Sequence, residues 1–269
     1  MIGIDLFIAG WALAALLMLL AWAVQWRTAD AGIVDVAWAS GLGLLAVGYA
    51  LLADGDPLRR MLMAIMAGGW SFRLAGYLLV NRVIGKPEDG RYQRLRAHWR
   101  EQTQLKFLGF FQAQALLTAI FAVPFLIVAL TPERPPLIAV LVAIALWLLA
   151  VGGETLADRQ LAAWRANPVN RGRTCRAGLW RYSRHPNYFF EWLHWWSYLL
   201  LAWGSPEWWL TLLGPALMLY TLLKITGIPY TEQQALASRG DDYRAYQRST
   251  SAFIPWFPKP EFPDVQDCD

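Results

Sequence analysis

The chain has 269 residues, of which 57% are apolar, 16% are charged and 16 are tryptophan. Soluble domains carry about 25% charged residues, so this sequence lacks the polar surface that coats a water-soluble globule. The formal net charge of +4 reads as membrane topology rather than nucleic-acid binding.

Seven apolar runs are candidates for spanning helices, which need ~20 mainly apolar residues. They are Leu6–Val24, Ile33–Ala53, Met61–Val80, Leu108–Leu130, Leu137–Gly152, Tyr188–Trp203 and Trp208–Leu223. None alternates with the period of two that barrel strands require. The expected fold is an all-α, seven-helix membrane bundle. Its first span is expected to be retained, because MIGIDLF lacks the positive start of a signal peptide.

Orientation follows from lysine and arginine placement in alternate loops. The loops 81–107 and 153–187 and the C-terminal tail are crowded with them, whereas the opposite side offers only Arg59, Arg60 and Arg134. The N-terminus is therefore expected outside and the C-terminus in the cytoplasm, with a bacterial inner membrane as the setting. One membrane domain is expected, with 1–152 as a container and 153–269 as a more polar half. Cys175 and Cys268 are expected in loop and tail, with no metal motif between them.

Ionisable groups inside a bilayer are functional candidates by default. Asp35, near the start of the second span, shares a helical face with Trp38. It reads either as a carboxylate at the headgroups or paired to Arg73, or as a carboxyl kept protonated by an apolar pocket. Arg73 sits mid-span, with Trp70 and Tyr77 on the same stripe. That stripe suits packing or the binding of a carbonyl oxygen.

Glu154, Asp158 and Arg165 form a stripe leaving the fifth span. It is either a solvated, salt-bridged face or, beside Arg171, Arg173 and Arg184, a holder of ribose and phosphate. Next comes GLWRYSRHPNYFFE, residues 178–191, a basic elbow running into a tryptophan-rich apolar segment. Asn187, Glu191 and Trp195 follow at i, i+4 and i+8, an amide, a carboxylate and an indole suited to a planar carboxamide. A buried polar pair at a helix start explains the same spacing. Residues 231–250 read as a surface helix, a turn at Gly240 and a second short helix. No dinucleotide-fold or P-loop glycine pattern is present.

LWRYSRHPNYFFEW, TEQQALASRGDDYRAYQRSTSAFIPWF, IVDVAW and SFRLAGYLLVNR together resemble the membrane steroid 5-alpha-reductase family. The RHPNY element is shared with sterol C14 reductases and isoprenylcysteine carboxyl methyltransferases. The resemblance implies reduction of the C4–C5 double bond of a 3-oxo-Δ4 steroid, or a similar enone lipid, by NADPH. It places Asn187 and Glu191 at the nicotinamide. It places Asp158, Arg165, Tyr182, Arg184 and His185 at the phosphates, ribose and adenine, helped by Tyr243 and Tyr246. Asp35 takes the place of the acid at the 3-oxo group, with Trp38, Trp70, Arg73 and Tyr77 around the substrate. Phe190 stands where bacterial relatives often have glycine. The rival readings are an S-adenosylmethionine-dependent methyltransferase of a lipid-like carboxylate, which shares Glu232, Tyr243 and Tyr246, and a non-catalytic sterol carrier.

Overall fold

A computed structural model describes residues 2–260; Cys268 lies outside them. In chain order the helices are α1 (Ile2–Thr28), α2 (Ile33–Leu52), α3 (Pro57–Leu78), α4 (Gly90–His98), α5 (Thr103–Phe121), α6 (Val123–Leu130), α7 (Leu137–Ala166), α8 (Pro186–Leu193), α9 (Trp196–Leu201), α10 (Leu213–Tyr220) and α11 (Ile228–Ser249). No strand occurs among the described residues. The protein is all-helical.

Among the described residues six helical stretches, rather than the expected seven, are long and apolar enough to cross a membrane. The exception is Tyr188–Trp203, which is two short helices, α8 and α9, separated by a turn at His194 and Trp195. In an unbroken helix the Trp195 N–H would donate to the Glu191 carbonyl. Here the His194 Nδ1 hydrogen-bonds that carbonyl, and the Trp195 N–H turns back to Trp192 O at 3.3 Å. A side chain inserted into the backbone ladder breaks the helix.

The helices form two compact units. The first comprises residues 1–143 and 198–214. Its centre is α2, whose buried positions include Ala37, Ala39, Gly41, Gly43 and Ala46. Small residues let helices approach closely where lipid, not water, is the competing solvent. A Cβ on Gly43 would meet Ser71 and Phe72 of α3 at 3.0 Å. Asp56 caps α3 by accepting from Leu58 and Arg59 N–H groups, with Pro57 in the first turn. Arg59 is fully buried. Its guanidinium donates to the carbonyls of Glu133 (2.6 Å), Trp203 (2.8 Å) and Leu201. The arginine thus ties the 198–214 segment to the start of α3.

The second unit comprises, among the described residues, 144–197 and 215–260. Its elbow, residues 178–185, is fixed on one side by α7. Trp180 Nε1 donates to Ala157 O (2.9 Å), and Leu179 N donates to Gln160 Oε1 (2.8 Å). On the other side lie α11 and the tail: Arg184 N donates to Ser251 O (2.8 Å), and Ser183 Oγ to Phe253 O (2.8 Å). As the sequence implies, α11 kinks at Gly240, where φ is 52° and ψ is −122°; this left-handed conformation suits a residue without a Cβ.

Candidate functional site

The second unit gathers much of the expected cofactor set around the elbow. Glu154 and Asp158 lie one turn apart on α7, and both are buried. Asn187 opens α8, and its Nδ2 donates to Asp158 Oδ1 at 3.2 Å. The Asn187 Oδ1 is buried and has no hydrogen-bond partner. Such an orphan costs roughly 1–3 kcal/mol and calls for an explanation. Glu191 follows one turn later on the same helix, half-buried. Trp195 does not continue this stripe. It falls in the turn after α8 and is fully enclosed, because the helical register ends at Leu193.

The approach of α8 to α7 depends on Gly153. A Cβ there would lie 2.5–2.6 Å from the ring of Phe190, so the ring rests on the bare α-carbon of Gly153. Phe190 and Gly153 are complementary, and their contact sets the spacing at which Asn187 reaches Asp158.

Beside this group, Glu232 of α11 organises the elbow. It accepts from Arg184 Nε (2.7 Å) and Gln247 Nε2 (2.8 Å), and its Oε1 lies 3.3 Å from His185 Nε2. Arg184 also donates to the carbonyls of Gln247 and Thr250. Burial holds the His185 imidazole below its ordinary pKa, and this outweighs the opposing hydrogen bond and charge of Glu232. Tyr188 stacks on His185 at 5.4 Å.

The tyrosines of α11 face inward. Tyr243 and Tyr246 are buried. The Tyr246 hydroxyl donates to the carbonyls of Trp180 and Ser183, and the Tyr243 hydroxyl lies 3.4 Å from Glu232 Oε1. They support the elbow from behind rather than presenting a surface to a ligand. Tyr182 is exposed with its ring against Phe257. Arg165 and Arg173 are exposed as well.

The substrate-side residues belong to the first unit. Trp38 meets Trp70 at 6.4 Å and Phe121 at 5.5 Å, both edge to face. Arg73 and Tyr77 are half-buried on α3. Asp35 is tied to α4. Its Oδ2 accepts from Arg91 Nη2 and its Oδ1 from the Tyr92 hydroxyl, each at 2.7 Å. Burial alone would lower the Arg91 pKa, but Asp35, Tyr92 and Asp89 together hold it above the usual value. Burial first, then the Asp35 carboxylate, pushes the Tyr92 phenol well above its usual value.

Arg91 and Tyr92 are partners of Asp35 that periodicity does not reveal, since they lie on α4, 56 and 57 positions away. A cavity of about 560 Å³ in the same unit is lined by Phe7, Leu126, Ile127, Ser205 and Glu207. None of Asp35, Trp38, Trp70 and Arg73 borders it.

Six apolar helical stretches and a polar, arginine-rich elbow define a multi-pass integral membrane protein. The sequence matches the family described as "Protein of unknown function (DUF1295)" over residues 21–250, and the chain belongs to that family. No curated protein and no solved structure matches it.

Proposed function

We propose that this protein is an NADPH-dependent reductase of the C4–C5 double bond of a 3-oxo-Δ4 steroid or a similar enone lipid. The observation that carries the reading is the buried, partnerless Oδ1 of Asn187, held beside Asp158. An acceptor of that kind fits the amide N–H of a nicotinamide, with Glu191 one turn away as a second acceptor. The likeness of the elbow and of α11 to the steroid 5-alpha-reductases supports the same assignment.

NADPH, when bound, supplies a hydride. Asn187, Asp158 and Glu191 hold its carboxamide end, while Arg165, Arg173 and the elbow residues Tyr182, Arg184 and His185 serve its ribose and phosphates. Donors fixed at a ketone oxygen in a water-poor site stabilise the charge that develops there. Because Asp35 is paired to Arg91, that role passes to Tyr77. Trp38, Trp70 and Arg73 line the substrate side. The basic face, with the elbow, lies in the cytoplasm of a bacterial inner membrane.

Membranes containing the protein, incubated with NADPH and progesterone or testosterone, should yield the saturated ketone. Asn187→Ala and Glu191→Ala should each lower turnover about 10- to 100-fold, the worth of one hydrogen bond in a dry site. Full turnover in both variants would overturn the assignment. So would methylation of a lipid carboxylate from S-adenosylmethionine in place of reduction.

A further inference from the structure

We propose that the segment after α11 is a binding site for the phosphate of an anionic phospholipid, with Trp256 and Phe257 as its anchor in the bilayer surface. A pocket of about 360 Å³ lies between the end of α11 and the returning tail. Arg184, Arg248 and Lys259 contribute to its wall, with the hydroxyl residues Ser249, Thr250 and Ser251, and no carboxylate lines it. Arg184 is already neutralised by Glu232. Arg248 and Lys259 are exposed, and neither is ion-paired among the described residues. The positive charge available to a ligand is theirs.

The tail beside them is strapped in place. Trp256 N donates to Tyr182 O (2.9 Å) and Lys259 N to Ser249 O (2.8 Å). Phe253 is buried against Phe189 and Trp192. Yet the same strap holds Ile254, Trp256 and Phe257 outward, at 60%, 71% and 77% exposure. Large apolar rings fixed outward next to unpaired cations match a bilayer's headgroup level. Tryptophan prefers that depth, and lysine and arginine there attract anionic lipid. A phospholipid uses both the cations and the rings; a free phosphate has no use for the rings. The site borders the proposed cofactor set at Arg184, but its available charge comes from Arg248 and Lys259, which that set does not include.

The full chain, purified in detergent, is followed by thermal unfolding with phosphatidylglycerol, phosphatidylcholine or inorganic phosphate added. Phosphatidylglycerol should raise the Tm by several degrees, and the other two should leave it unchanged. R248Q/K259Q should abolish the shift without altering the lipid-free Tm, R248K/K259R should keep it, and W256S/F257S should weaken it. An undiminished shift in R248Q/K259Q overturns the site, as does a loss in R248K/K259R. An equal effect of phosphatidylcholine reduces it to acyl-chain contact, and an equal effect of inorganic phosphate makes it a free-anion site. A shift by NADPH that disappears along with that of phosphatidylglycerol in R248Q/K259Q assigns the pocket to the cofactor. A lipid effect seen only after removal of residues 261–269, which include Glu261, Asp264, Asp267 and Asp269, makes the chain's own acids the occupant. Each of these outcomes refutes the phospholipid assignment.

Discussion

At Asp35 two roles make different demands on a double-mutant cycle. An acid that serves only a substrate gives a variant with unchanged stability, whereas an ion-pair partner leaves Arg91 without its counter-charge. The two hydrogen bonds from Arg91 and Tyr92 favour the second outcome. Asp35→Asn should cost about 1–3 kcal/mol of stability, and combining it with Arg91→Gln should cost less than the sum of the two. Additive Tm losses would remove the pair from the account. His185 supplies a test in pH. Its imidazole is held neutral by burial below the ordinary value of 6.5, so the unfolded chain binds a proton more readily than the folded one. Stability is then complete above about pH 6.5 and declines as pH falls through and below that value. Thermal unfolding between pH 8 and 5 should show the decline, and His185→Gln should flatten it. Local spacing exposed the Asn187–Glu191 pair, because one helical turn is written directly in the sequence. It could not expose Arg91 as the partner of Asp35, since a contact across 56 positions leaves no periodic trace.

Among the elements, α8 shows what an apolar run conceals. Hydropathy sees Tyr188–Trp203 as one segment, but a single His194 ring bonded to the Glu191 carbonyl divides it. Composition does not register that kind of hydrogen bond. The kink of α11, by contrast, was legible as a glycine between two polar amphipathic stretches. The seat of α8 on α7 is a matter of one missing methyl group. Gly153→Ala should push the Phe190 ring away, lengthen the reach from Asn187 to Asp158, and lower both Tm and turnover. Overpacking of this kind typically costs about 1–3 kcal/mol. Gly153→Ala with Phe190→Leu should regain part of the loss. An alanine at 153 with unchanged Tm and turnover would show that the ring has room to move.

For the molecule as a whole, the helical class and six of the seven expected spans followed from composition and run length, since a bilayer leaves a chain few other ways to pair its backbone. The division into units did not, because residues 198–214 belong with the N-terminal helices despite following the elbow in sequence. Arg59 shows the cost of that arrangement. Arg59→Met should leave three carbonyls without their donor and destabilise the protein by several kcal/mol. Limited proteolysis should then cut first within 198–214; an unchanged digest would mean that the carbonyls find other donors. During synthesis the same tie imposes an order. The first 143 residues contain one acceptor of the Arg59 guanidinium, at Glu133, and the other two, at Leu201 and Trp203, are made only later in synthesis. A nascent chain stalled before Leu201 lacks two of the three carbonyls to which the Arg59 guanidinium donates.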